Sequence, residues 1–255
     1  MYSAYLPSPV INFMFIDTRG NYWISTYSGL VKIKPDGGYK IFNTDNSILP
    51  VNSANSICED SLTNIWLATA KGLYFIQEEK KEMEDTMTIY SLLKLGLANN
   101  ANIYCITKAN DDAILMSAQS YYKVGRNSGH IWNYIPSTAE TISTPKQICC
   151  SSDGNSYFLS DYIVYKYCNS VLTKMTLGTI GKVVCMYSDS DNNLIIAGSS
   201  AIQIIKNDGS SKAISTKITG LSEYLSIKSI IVDAAKNIWL GTSNYGLVKL
   251  KYFNK

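Results

Sequence analysis

The 255 residues predict an all-β chain built from six repeats of four short strands each. Three observations carry this. A tryptophan-centred segment recurs: Gly20-Asn21-Tyr22-Trp23-Ile24-Ser25-Thr26, Thr63-Asn64-Ile65-Trp66-Leu67-Ala68-Thr69 and Lys236-Asn237-Ile238-Trp239-Leu240-Gly241-Thr242. Each copy has an Asp six residues before its Trp (Asp17, Asp60, Asp233) and a Gly-Leu pair soon after it (Gly29-Leu30, Gly72-Leu73, Gly246-Leu247). Weaker copies centred on Ile114, Tyr157 and Ile195 fill the gap, so the anchors are spaced by 43, 48, 43, 38 and 44 residues. A period in the low forties with several strands per unit is the signature of propeller blades.

The first unit shows how the strands are read. Ile11 to Ile16 is a continuous apolar run, expected as an inner strand covered on both faces. Arg19-Gly20-Asn21 is a turn, and Tyr22 to Thr26 and Leu30 to Ile33 alternate as half-buried strands do. Pro35-Asp36-Gly37-Gly38 is a hairpin signal before an outer strand, Tyr39 to Phe42. Asn127-Ser128-Gly129 and Asn207-Asp208-Gly209 hold the same hairpin place in later units. A lone four-stranded sheet cannot bury both faces; sheets stacked side by side can, with the Trp wedged between them.

The expectation is therefore one β-propeller domain over 1–255. Its blades are 11–44, 54–90, 102–135, 145–177, 182–216 and 226–255, the last completed by 2–6. An outer strand from Tyr2 to Leu6 would join the termini, close the ring and remove open edges. A seventh blade in a longer parent chain is the alternative.

Composition removes several function classes. Net charge is only +3, and two of the 23 basic residues are arginine, the usual bidentate reader of guanine, so nucleic-acid recognition is not expected. No run approaches the roughly 18 apolar residues of a membrane span. Met1 to Pro7 lacks the basic and apolar regions of a signal peptide. The six cysteines form no C-x-x-C pair, and Cys58, Cys105, Cys149 and Cys185 lie in apolar runs, as small buried hydrophobes do. With His130 as the single histidine, a Ser-His-Asp triad or a histidine metal site is excluded in practice.

The pattern D-x-x-G-N-x-W-x-x-T followed by G-L resembles the two-component regulator propeller repeat. It is clearest in units one, two and six; Leu62-Thr63 and Ala235-Lys236 stand where the repeat often has Asp-Gly. The resemblance implies a periplasmic or extracellular sensing region of hybrid two-component histidine kinases, as in gut Bacteroidetes, recognising glycan fragments. The shared motif is structural and carries over no binding residue. A propeller lyase acting on antibiotics is a more distant resemblance. Such enzymes are expected to depend on histidine, which argues against that activity here.

Candidate sites follow from the blade register. The loops after the Trp-bearing strands should emerge on one face: Tyr27, Lys71, Gln119, Tyr121, Asp161, Tyr162, Asn244 and Tyr245. Inter-blade links such as Asp45-Asn46-Ser47 and Asn99-Asn100 should join them. Loops on a rigid scaffold carry function, and a Tyr ring with its polar tip suits a small polar ligand or oligosaccharide. No catalytic residue, metal or cofactor is expected. Asp189-Ser190-Asp191-Asn192-Asn193 opens like a calcium loop, but Leu194 and Ser200 hold the places of its Gly and Glu, so a polar turn is the better reading. Asp111-Asp112 reads as an exposed turn, and Glu78 to Asp85 as a solvated hairpin loop. Cys149 and Cys150 are strand neighbours facing opposite ways, unsuited to a redox pair. The expected function is a non-catalytic ligand sensor. A scaffold for another propeller or signalling domain is the alternative, and a lyase or glycoside-directed enzyme ranks below both.

Overall fold

The computed structural model describes residues 6–77, 86–90, 100–109, 114–118, 121–124, 131–133, 146–169, 171–217, 224–233, 235–243 and 245–251. They form six antiparallel meanders. Sheet 1 holds β1 (Ile11–Ile16), β2 (Tyr22–Thr26), β3 (Gly29–Ile33) and β4 (Tyr39–Phe42). Sheet 2 holds β5 (Ala54–Glu59), β6 (Ile65–Thr69), β7 (Gly72–Gln77) and β8 (Thr86–Tyr90). Sheet 3 holds β9 (Cys105–Lys108), β10 (Ile114–Ser117), β11 (Tyr121–Val124) and β12 (Ile131–Asn133). Sheet 4 is β13 (Gln147–Cys150), β14 (Ser156–Ser160), β15 (Ile163–Cys168) and β16 (Val171–Lys174). Sheet 5 is β17 (Val183–Ser188), β18 (Leu194–Gly198), β19 (Ala201–Ile205) and β20 (Ser211–Ser215). Sheet 6 has three strands, β21 (Ile227–Val232), β22 (Asn237–Thr242) and β23 (Leu247–Lys251).

All six sequence anchors fall in the second strand of a sheet. The expected six four-stranded blades are corrected: five sheets are complete and the sixth has three strands among the described residues. The reason is topological. Each complete sheet is a meander of consecutive strands, and the described residues after β22 supply only β23. The expected closing strand falls on residues 2–5, outside the described residues, and on Leu6, which packs against the Ile24, Val31 and Ile33 cluster of sheet 1. Ring closure is therefore not established.

The chain divides into two compact units, Met1–Thr144 and Pro145–Lys255. Within the first, Trp23, Leu30 and Phe42 of sheet 1 pack on Ile57, Ile65, Leu67 and Ile76 of sheet 2. Trp66 and Leu73 pack in turn with Ile106, Ile114 and Met116 of sheet 3. Within the second, Leu159 and Val164 meet Met186, Leu194 and Ile196. The other face of sheet 5, through Ile195, Ile202 and Ile204, meets Ile230, Ile238 and Leu240. Within each unit, successive sheets thus shield one another's apolar faces, which is the stabilising term of stacked blades.

Side chains also bridge successive sheets by pairing with backbone groups on the first strand of the next sheet. Ser25 Oγ donates to Ala54 O (2.9 Å) and accepts from Ala54 N (2.8 Å), next to the register shift in β5. The Gln147 amide does the same for Met186, donating to its O (2.8 Å) and accepting from its N (2.9 Å). One expectation fails at β1. Phe13 and Phe15 face sheet 2, but Ile11, Met14 and Ile16 are 44–58% exposed, so this strand is not covered on both faces. Alternate residues point to opposite sides, and sheet 2 covers one of them.

Candidate functional site

The two ends of the sheets use their residues differently. At one end lie the turns between first and second strands, which carry the Asp of the repeat. Asp17 accepts from the backbone N–H of Arg19 (3.0 Å) and Asn21 (2.8 Å), from Asn21 Nδ2 (2.8 Å) and from Trp23 Nε1 (2.8 Å). Asp60 repeats the set with Leu62, Asn64 and Trp66, and Asp233 binds Asn237 and Trp239 Nε1 in the same way. Asp189 holds Asp191 and Asn193 without a Trp. In sheet 4, Ser151 takes the Asp place and Asp153 binds Asn155 instead. The aspartate six residues before Trp23, Trp66 and Trp239 is therefore a clasp that closes the turn and satisfies the indole. Its turn needs a left-handed residue, supplied by Gly20 (φ 80°), Thr63 (65°), Gly154 (91°), Asn192 (62°) and Lys236 (61°).

These turns also tie neighbouring sheets together. Glu59 accepts from Thr18 N and Oγ1 at 2.8 Å each, and Arg19 Nη2 donates to Thr63 Oγ1 (2.6 Å). Ser152 donates through N and Oγ to Asn192 Oδ1, and Lys236 Nζ pairs with Asp191 (2.7 Å) and donates to Ser190 Oγ (2.8 Å). The indole N–H of Trp239, followed by the Asn237 N–H, pulls the Asp233 carboxyl down to about 2. The expected polar turn at 189–193 is what the structure holds: its carboxylates bind backbone, Asn and Lys groups.

At the opposite end, the turns between second and third strands are stapled by the Thr of the motif. Thr26, Thr69 and Thr242 hydroxyls donate to the carbonyls of Gly29, Gly72 and Gly246 at 2.8–2.9 Å. This leaves the intervening side chains to solvent. Tyr27 is 68%, Tyr162 50% and Tyr245 44% exposed, and Lys71 is exposed. Asp161 and Tyr162 form a two-residue turn with φ 44° and 68°, both left-handed, without a glycine. Around it the structure gathers two residues absent from the sequence candidates. Lys146 Nζ lies 5.1 Å and Lys182 Nζ 5.2 Å from the Tyr162 ring centroid.

The expected site residues are thus only partly brought together. Asp161 and Tyr162 share one turn and acquire Lys146 and Lys182. Tyr27 and Lys71 occupy equivalent turns of sheets 1 and 2, and among the described residues no hydrogen bond or ring contact joins them. Tyr245 lies on the β22–β23 turn, its N–H donating to Thr242 Oγ1 (3.0 Å). Tyr121 opens β11, paired with Ser117. Gln119 and Asn244 lie outside the described residues, as do His130, Asp111-Asp112 and Glu78 to Asp85. Register could have found Lys146 alone: it immediately precedes β13 and lies beside the turn after β14, whereas Lys182 lies beside Ser199 of its own sheet and reaches Tyr162 through packing between sheets.

Among the described residues, no group of three or more His, Cys, Asp or Glu could hold a metal ion. All six cysteines are free thiols, and burial pushes Cys105 and Cys185 up to about 12.

Comparison with known proteins agrees with the repeat. Residues 48–71 match the two component regulator propeller family, so the chain carries the repeat read from its sequence. No curated protein matches it. A streptogramin B lyase structure is similar at TM-score 0.74 and 15% identity, over 95% of this chain and 80% of that one. The extracellular domain of a hybrid two-component system from B. thetaiotaomicron is similar at TM-score 0.73 and 17% identity. That match covers 97% of this chain and 34% of the other, so this chain spans about a third of its length. Virginiamycin B lyase from Staphylococcus aureus is similar at TM-score 0.70 and 16% identity, over 96% and 85%. At these identities the likenesses establish the fold, an all-β propeller. No helix among the described residues is long and apolar enough to cross a membrane.

Proposed function

We propose that this chain is a non-catalytic sensory propeller that binds a small polar ligand, such as a glycan fragment, on the turns following the second strands. One observation carries the reading. The Asp, Asn and Trp groups of the repeat are consumed by their own turns, whereas the opposite turns present Tyr27, Lys71, Tyr162 and Tyr245 to solvent. Aromatic faces with polar tips suit a sugar, and a sheet scaffold holds them without ordering on binding. The likeness to extracellular domains of two-component systems supports a periplasmic or extracellular setting within a larger signalling protein. Signalling there requires that the ligand favour one arrangement of propeller and partner over another.

The test is a thermal-stability screen of the whole chain against neutral and charged oligosaccharides, with mass spectrometry of each mixture. A sensor gives a ligand-dependent rise in Tm that follows mass action, with the saccharide recovered intact. A cleaved or eliminated product would overturn the non-catalytic reading. A second reading, a protein-interaction scaffold, is favoured by the exposed apolar row Ile11, Met14 and Ile16 on β1. It wins if no saccharide shifts Tm while Met14→Lys abolishes association with a co-purifying partner.

A further inference from the structure

We infer that Lys146, Tyr162 and Lys182 form a binding site for an anionic saccharide, a sugar ring bearing a carboxylate or sulfate group. The inference rests on the sensory reading above and names the ligand class for one of its turns. Among the described residues, the other lysine–ring contacts stay within one sheet: Lys32 over Trp23 and Lys249 over Trp239 are cross-strand partners, and Lys40 over Phe42 is two residues along one strand. Lys146 and Lys182 instead come from two successive sheets and converge on a turn residue of the first. Their ammonium groups lie within 10.3 Å of each other, the sum of their two distances to the ring centroid. Among the described residues, no ion pair neutralises either of them.

Both lysines are anchored by their backbone. Lys146 N–H donates to Leu159 O (2.8 Å). Lys182 N–H donates to Ser199 Oγ (3.1 Å), and its carbonyl accepts from Ser199 N (2.9 Å). Gly181, at φ +75°, makes that approach possible, because a Cβ there would sit on the Ser199 hydroxyl. Tyr162 is held in a left-handed conformation that a bulky residue adopts only when its surroundings impose it. Two cations held against one ring repel each other, and an anion bound near both weakens that repulsion. The exposed part of the ring then offers an apolar surface to the sugar bearing the anion.

Calorimetric titration of the whole chain tests this with four probes: digalacturonate, its uncharged methyl ester, a sulfated disaccharide and sodium sulfate. Lys146→Ala, Lys182→Ala and Tyr162→Asn are compared with the parent; Asn tolerates the left-handed turn, and circular dichroism checks each fold. The expected result is binding of at least one anionic saccharide, at least about fivefold weaker in each lysine variant and lost in the double variant. The neutral ester should bind at least about tenfold more weakly than its acid, and added salt should weaken the acid selectively. Tyr162→Asn should weaken the saccharide while leaving sulfate unchanged. Equal affinity for acid and ester, with the lysine variants unaffected, would overturn the inference and leave the sensory reading standing. Sulfate binding as tightly as the saccharides, indifferent to Tyr162→Asn, would reduce the site to an inorganic-anion site. Absence of binding by all four probes to the folded chain would also overturn it, while the neutral-saccharide screen separately decides the sensory reading.

Discussion

The turn at Asp60 and the turn at Tyr162 are both short connections between neighbouring strands, yet they are built for opposite ends. The first spends its polar atoms inward. Asp60 is 3% exposed, and its carboxylate accepts from two backbone N–H groups, an Asn amide and an indole. The second turns outward: Tyr162 is half exposed, and two lysines from successive sheets reach its ring. The lesson is that the residues repeating most faithfully along this chain are those the blade needs to close its own turn. Residues free to bind something else stand where the repeat is silent.

If that contrast is right, substitutions at the two turns differ in kind. Asp60→Ala should have the largest effect, lowering stability by about 2–4 kcal/mol, because several buried donors lose their acceptor at once. Urea unfolding followed by Trp fluorescence measures it. A loss below about 0.5 kcal/mol would show that the clasp is dispensable.

Next comes acid sensitivity at the equivalent clasp of sheet 6. Asp233 titrates at about 2 in the folded chain, below the ordinary carboxylate value of about 3.9. A depressed carboxylate stabilises the fold fully above its unfolded pKa and loses that contribution as pH falls through its folded pKa. The urea midpoint of the parent should therefore exceed that of Asp233→Asn at pH 6, with the gap closing between about pH 4 and pH 2. A gap independent of pH would assign the effect to packing.

A smaller change, of opposite sign, is expected at Thr63. This β-branched residue takes the left-handed place that Gly20 fills in sheet 1. Thr63→Asn should raise stability by about 0.5–1 kcal/mol, since Asn tolerates that conformation, offset in part by the lost Arg19 contact. The smallest effect belongs to the outward turn. Lys146→Ala and Lys182→Ala should each change stability by less than about 0.5 kcal/mol, because exposed lysines contribute little to folding. A larger loss at either position would make the cluster part of the framework.

Much of this fold is legible along the chain. The anchors Trp23, Trp66, Ile114, Tyr157, Ile195 and Trp239 all land in second strands, and Pro35 to Gly38 and Asn207 to Gly209 do form the hairpin turns. These features depend on neighbours a few residues apart, so a local pattern encodes them. The candidate site was half visible. Asp161 and Tyr162 follow from counting past the second strand and Lys146 from strand register, but nothing in the sequence points to Lys182. Coverage of β1 was misjudged for a related reason: an apolar run reports what a strand could bury, and packing reports what it does bury.

Sequence alone was enough for the strand repeat and for the spacing of its aspartates and tryptophans, because each depends on residue type and short spacing. Convergence of two lysines from neighbouring sheets on one ring and the half-covered first strand were settled by folding. They arise from which sheet faces meet, and this is a property of packing between distant segments.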